Sequence, residues 1–322
     1  MARTDREVMR AEREQTTLAA PCTVSGRGYW TGQPNALTFL PAAADSGIRF
    51  VRTDLDGHPS VPALAEQRAS MPLRTRLCQG RAEVDMVEHV LAAVSGLQID
   101  NVTICCTASE MPAMDGSSFA FALALQSAGR VQLTAPRQTL HIDQCLRVGN
   151  AEQWILAEPL SLSNISGSNV SGGGGGAGPA QLQLEYQLDF GPNSPITQST
   201  HAIRLTPRTF FEELSAARTF ITLETARLLQ SRGLAQHVTD QDLIVFDDHG
   251  PVNSRLRFPD ECARHKLLDL VGDLALTGMD LVGRITASRG GHQLNGEMAA
   301  ALREMYARQT SQQRHHQVRL VA

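Results

Sequence analysis

His265 and Asp269 stand four residues apart in the segment Arg264-His265-Lys266-Leu267-Leu268-Asp269-Leu270-Val271-Gly272-Asp273. On a helix that spacing puts an imidazole and a carboxylate on one face, with the Asp273 carboxylate one turn further on. Two such groups can chelate Zn²⁺. An isolated H-x-x-x-D reads as an exposed ion pair. Here Leu267, Leu268, Leu270 and Val271 intervene, so the helix is expected to be buried, and buried charges need partners. A catalytic zinc takes three protein ligands and leaves a fourth position open for water. His89, which opens another apolar helical stretch, is the candidate for the third. Glu88 lies beside it, where a carboxylate next to a ligand can accept a proton from the attacking water. His292 follows Gly290 and Gly291, which let the backbone approach a ligand closely; it reads as a second proton-transfer group or as a buried structural histidine. Lys266 is the sole lysine among 29 basic residues, which marks a place that needs a compact ammonium instead of a planar guanidinium.

The elements that must position these groups come in two similar sets. Residues 87–97 carry apolar side chains at helical spacing, followed by a turn and a strand that starts at Ile99-Asp100. Residues 264–277 repeat the pattern, with Gly278-Met279-Asp280 leading into a strand at 281–288. Each set opens its helix with a histidine. This points to an internal duplication, an α+β fold of two domains whose equivalent helices could face each other. Strands are expected at 17–23, 36–39 and 48–53, then at 140–148, 152–157, 181–190 and 201–205. Further helices are expected at 119–128, capped from Asp115-Gly116-Ser117-Ser118, and at 208–217, 223–231 and 294–309. Residues 129–140, with Gly, Arg, Pro and Thr, mark the boundary, giving domains at 15–130 and 137–309. Residues 161–179, with the run Gly172 to Gly176, read as a flexible surface linker. Residues 310–322 read as a loose polar tail in which His315 and His316 are solvated.

Composition removes several classes of function. The 322 residues suffice for two cores, and a hydrophobic content of 42% argues against wholesale disorder. No apolar run reaches about 18 residues, so no membrane-spanning helix is expected. The first fifteen residues are charged and lack the apolar core of a secretory signal, so a cytoplasmic location is expected. A net charge of -4 without a basic stripe gives no footprint for nucleic acid. Six cysteines without C-x-x-C spacing read as free thiols that pack. Gly26-Arg27-Gly28 is weak as a nucleotide signature because a strand follows it.

Taken together, Val87-Glu88-His89-Val90-Leu91-Ala92-Ala93, Met114-Asp115-Gly116-Ser117, Ala217-Arg218-Thr219-Phe220, Leu256-Arg257-Phe258, the R-H-K-x-x-D-x-x-G-D segment and Gly291-His292-Gln293-Leu294-Asn295 resemble one family. It is the zinc-dependent UDP-3-O-acyl-N-acetylglucosamine deacetylases of lipid A biosynthesis, and the resemblance runs over residues 15–305. It implies two similar two-layer sandwich domains, helices packed on a sheet, with the active site at their interface. It implies His89, His265 and Asp269 as zinc ligands, Glu88 as general base and His292 as the charged partner or general acid. Thr219 and Lys266 would stabilise the oxyanion, Asp273 would orient His292, and Phe220 would wall the sugar or uridine. Arg289 stands where the family has a phosphate-contacting lysine, and residues 222–248 match a β-α-β insert that shapes the acyl passage. The implied substrate is the acylated UDP-N-acetylglucosamine, handled by a monomer in transient contact with the membrane surface.

Several positions depart from the family pattern. The G-x-G-L-H-[ST]-G loop reads Gly26-Arg27-Gly28-Tyr29-Trp30-Thr31-Gly32, with Trp30 in place of histidine. Asp85-Met86 replaces Ser-Thr before V-E-H, His237-Val238 replaces a glycine pair, and Gln241-Asp242-Leu243 replaces D-N-A. These changes keep the chemistry and alter the walls. They leave two alternatives open: a paralogue acting on another N-acetylated nucleotide sugar, or a nucleotide-sugar-binding protein of low turnover.

Overall fold

The computed structural model describes the backbone of residues 13–160 and 182–321, and side chains as far as 312 at the C-terminal end. The expected linker at 161–179 and the side chains of His315 and His316 lie outside the described residues.

One architecture occurs twice. In the first half, a hairpin of Cys22–Arg27 and Pro34–Pro41 is followed by a hairpin of Ile48–Arg52 and Ser60–Pro62. A small three-stranded sheet, Arg68–Ala69, Arg76–Gln79 and Ala82–Asp85, leads to helix α1 (Glu88–Gly96), and the strand Val102–Cys106 then inserts between the two hairpins. That strand runs antiparallel to Pro34–Pro41 and parallel to Ile48–Arg52. In the second half the hairpins are Leu146–Gly149 with Trp154–Glu158, and Leu182–Leu188 with Ser199–Arg204. After the helix Glu261–Leu274, the strand Asp280–Ser288 inserts between them in the same two senses. The order of elements, the pairing and the strand directions agree, as a duplication requires. Alternation of buried and part-buried residues along Leu182–Leu188 turns one face of the sheet to a core.

Helix α2 (Phe119–Ala128) lies on the first sheet and the long helix His292–Val321 on the second. Between the sheets, α1 packs directly against Glu261–Leu274. A Cβ at Gly272 would lie 2.0 Å from the carbonyl oxygen of Glu88, so only glycine permits that approach. At the far end of α1, a Cβ at Gly96 would fall 2.3 Å from the Phe210 ring. The two aspartates at corresponding places of the duplication are also tied together. Arg13 binds Asp100 at 2.6 Å and Asp280 at 2.7 Å, and Arg137 reaches the same two carboxylates at 3.0 and 3.3 Å.

Between the repeats' shared elements, the second half carries an insert. Phe220–Thr222 and Ile244–Asp247 pair in parallel, joined through helix α3 (Leu223–Ser231). Below, Glu261–Leu274 is α4 and His292–Val321 is α5. Among the described residues no helix is long and apolar enough to cross a membrane. All six cysteines are free thiols.

Local expectations fail in identifiable ways. The strand expected at 17–23 is two strands, Glu14–Leu18 and Cys22–Arg27, broken ahead of Pro21, which cannot donate a ladder hydrogen bond. The strand expected at 140–148 is likewise divided into Thr139–His141 and Leu146–Gly149. The boundary segment is itself a strand, Arg130–Pro136, paired with Glu14–Leu18; polar and apolar residues alternate along 130–135 as in a strand, although Gly129 and Pro136 at its ends read as a boundary. The helix expected at 208–217 is a single capped turn, Pro207–Thr209, continued by a π-helical stretch, Phe210–Leu214, which seats Phe210 over Gly96. Ser118 does not cap α2; its hydroxyl donates to the His89 carbonyl at 2.7 Å. The tail is not loose, because α5 continues to Val321.

Gly272→Ala should reveal the helix contact. Alanine in a helix interior normally gains about 1 kcal/mol over glycine, whereas overpacking costs about 1–3 kcal/mol. A lower denaturation midpoint is expected, and a midpoint equal to or above that of the parent chain would show that the helices can move apart freely.

Candidate metal centre and its surroundings

α1 begins at Glu88-His89, and α4 carries His265 and Asp269 four residues apart. The packing of the two helices at Gly272 brings these groups to one point. His89 Nε2 and His265 Nε2 each lie 3.5 Å from Asp269 Oδ1. The two imidazoles meet edge to face with centroids 5.1 Å apart, and all three side chains are buried. His265 Nδ1 is hydrogen-bonded to the Ala217 carbonyl at 3.1 Å, so Nε2 turns its lone pair inward. Burial holds His265 down at about 3, against the pull of Asp269 toward the charged form, so it is a neutral ligand group. Asp269 Oδ1 is buried without a hydrogen-bond partner. A buried carboxylate oxygen left bare between two imidazole nitrogens is what a cation would satisfy, and the donor set of two nitrogens and one oxygen suits zinc. The residues present fit a metal.

The other oxygen, Asp269 Oδ2, accepts from Lys266 Nζ at 2.6 Å. Burial opposes the charge on Lys266, but Asp269 outweighs it and holds the ammonium protonated. Against its own burial, Asp269 is held well below the usual carboxylate range by the charges of Lys266 and His292.

A second group of charges abuts the first. His292, the first residue of α5, is hydrogen-bonded through Nδ1 to Asp273 Oδ2 at 3.0 Å. Its Nε2 lies 4.0 Å from Glu88 Oε1 and 3.9 Å from Asp269 Oδ2. Burial works against its charge, yet Asp273, Glu88 and Asp269 together raise it to about 9. Burial pushes Glu88 up, and His292 and His89 pull it back. Asp273 also accepts from Asn295 Nδ2 at 2.9 Å and from the Thr75 hydroxyl at 2.5 Å, and the Thr75 N–H donates to Glu88 Oε2 at 3.0 Å.

Of the residues singled out from sequence, His89, His265, Asp269, Glu88, His292, Asp273 and Lys266 therefore form one buried cluster. Thr219 joins it, with Oγ1 at 3.1 Å from His265 Nε2 and 3.0 Å from the Gly116 carbonyl. The Phe220 ring stands edge to face on His265 at 6.0 Å, with the exposed Phe190 ring beyond it at 5.9 Å. Arg289 lies apart, exposed on the turn before His292 with φ 53°. Sequence reasoning missed Thr75 and the Ala217 carbonyl. A backbone oxygen has no sequence signature, and Thr75 sits between two arginines with nothing to mark it.

Two of the positions that depart from the resemblance's pattern, Trp30 and Met86, meet each other. The Trp30 indole N–H donates to Met86 Sδ at 3.1 Å, and the Arg74 guanidinium stacks over the indole at 4.6 Å while binding Asp85 at 3.0 Å. His237 Nε2 reaches the Gly28 carbonyl at 2.9 Å, tying the insert to the same loop. Glu110 holds that loop by accepting from the Trp30 and Thr31 N–H groups at 2.6 and 2.9 Å.

Residues 15–304 match the family described as UDP-3-O-acyl N-acetylglycosamine deacetylase. Similar proteins, each named UDP-3-O-acyl-N-acetylglucosamine deacetylase, occur in Thermosynechococcus vestitus, Anaeromyxobacter dehalogenans and Brucella ovis. The first is 38% identical over 288 residues, covering 89% of this chain and 93% of the relative. The second is 36% identical over 282 residues, covering 87% and 84%. The third is 36% identical over 291 residues, covering 89% and 94%. Matched over residues 15–304 and over nearly the full length of these relatives, the chain belongs to the UDP-3-O-acyl N-acetylglycosamine deacetylase family.

Proposed function

We propose that this chain is a zinc-dependent amidohydrolase that removes the N-acetyl group from UDP-3-O-acyl-N-acetylglucosamine, the committed step of lipid A biosynthesis. The observation that carries the reading is the bare, buried Asp269 Oδ1 between His89 and His265. Held there, zinc supplies Lewis acidity to the acetamide carbonyl and to the attacking water. Glu88 takes the proton of that water as general base. Its burial and its raised proton affinity suit a group that must accept a proton and pass it on. His292, kept charged by Asp273, faces the same space and offers positive charge or a proton to the leaving amine. Lys266 and the Thr219 hydroxyl stand on either side of the ligand set to stabilise the oxyanion. Phe220 walls the sugar or uridine, and Arg289 on its exposed turn contacts phosphate. The two domains are taken as 15–130 and 137–309, with the insert at 222–248. A cytoplasmic monomer that meets the membrane surface transiently completes the reading.

A second reading, a paralogue for another N-acetylated nucleotide sugar, is favoured by the joined Trp30, Met86, Arg74 and His237 contacts. Turnover of the two substrates side by side separates the readings.

Three outcomes are expected. His265→Ala and Asp269→Ala should each lower bound zinc from about one ion per chain; undiminished zinc in both, or two ions in the parent chain, would count against the assignment. Glu88→Ala should keep its zinc and lose roughly 10² to 10⁴ in kcat, and near-normal turnover would remove it as the base. Lys266→Arg should fold, bind zinc and lose activity, because a planar guanidinium cannot take the place of a point charge 2.6 Å from Asp269. Full activity in Lys266→Arg would show that charge alone suffices.

A further inference from the structure

We infer that Thr75 is a positioning residue that sets both proton-transfer groups of the site at once, an inference that rests on the deacetylase reading. Thr75 precedes the strand Arg76–Gln79 and is fully buried. Its two donors go to two carboxylates on different helices. The N–H holds Glu88 Oε2 on α1 at 3.0 Å, and the hydroxyl holds Asp273 Oδ1 on α4 at 2.5 Å.

Each bond fixes the oxygen that the chemistry leaves alone and thereby aims the other one. With Oε2 tied to Thr75, Glu88 presents Oε1 toward His292 Nε2. With Oδ1 tied, Asp273 presents Oδ2 to His292 Nδ1 at 3.0 Å and to Asn295 at 2.9 Å. The plane of a carboxylate fixes the ring and the tautomer of the histidine bonded to it. Thr75 thus sets the base directly and His292 through Asp273. Arg68, also from the first half, supports the same histidine by donating to its carbonyl at 3.0 Å.

The test compares Thr75→Val, which keeps the shape and the N–H but loses the hydroxyl, with Thr75→Ser, which keeps the hydroxyl. Each is assayed for kcat and KM on the acylated UDP-sugar and for zinc. The low-field proton of the His292–Asp273 hydrogen bond is followed by NMR in the metal-free protein. Thr75→Val should lower kcat roughly 10- to 100-fold, the range for lost outer partners. KM and zinc should hold, the NMR resonance should move, and Thr75→Ser should restore most of the rate and the resonance. In a His292→Ala background, Thr75→Val should cost much less than in the parent chain. Unchanged kcat in Thr75→Val, damage from Thr75→Ser equal to that from Thr75→Val, or an undiminished loss in the His292→Ala background would overturn the inference. Should Thr75→Val fail to fold, Thr75→Cys, similar in size and a weak donor, takes its place in every readout. A parent chain inactive on this substrate would overturn the deacetylase reading instead, and an unmoved resonance would then still sink the positioning role.

Discussion

Helices α1 and α4 meet backbone to backbone, with the Glu88 carbonyl against the Cα of Gly272. The groups borne by these two helices hang from that contact. Glu88 and His89 leave α1 at the level where His265, Asp269 and Asp273 leave α4, so the separation of the two helices sets each distance between them. A methyl group at Gly272 would push the helices apart by more than the reach of a metal ligand tolerates. The remaining elements hold this approach in place. Arg13 and Arg137 clasp the equivalent aspartates Asp100 and Asp280, and Phe210 fills the space over Gly96 at the far end of α1.

The site is a set of buried charges that no single residue could keep alone. Asp269 is held ionised by the charges of Lys266 and His292, while His292 is held charged by Asp273 and Glu88. In a medium this dry each charge depends on the others for its state. Yet Asp269 Oδ1 is left without a hydrogen-bond partner, as is the amide oxygen of Asn295. Of the two, Asp269 Oδ1 belongs to a charged group and lies between the two imidazoles, where a cation would complete it.

Outside this network, positions that differ from the motifs of the family resemblance include Trp30 and Met86, which touch. The indole N–H of Trp30 needs a partner, and Met86 Sδ supplies it. Arg74 covers the indole and is held by Asp85, itself one of the changed residues. On the other side of the loop, His237 occupies the space that a glycine would leave open.

The sequence by itself brought the candidate groups into view. His265 and Asp269 at i and i+4 on an apolar helix, a second apolar helix opened by Glu88-His89, and one lysine in the whole chain were enough to suggest a ligand pair, a neighbouring carboxylate and a duplication, and the family resemblance supplied the roles. These are properties of spacing along one helix, and helical geometry fixes them locally. Tertiary structure alone decided what lies between elements. It placed the Ala217 carbonyl on His265, the Thr75 hydroxyl on Asp273 and the Glu88 carbonyl against Gly272, contacts across 48, 198 and more than 180 residues of chain. Backbone groups carry no side-chain signature, and a threonine says nothing of its partner until the chain has closed on itself. The π-helical turn at Phe210–Leu214 was illegible for the same reason, since it takes its form from what it packs against and not from its own residues.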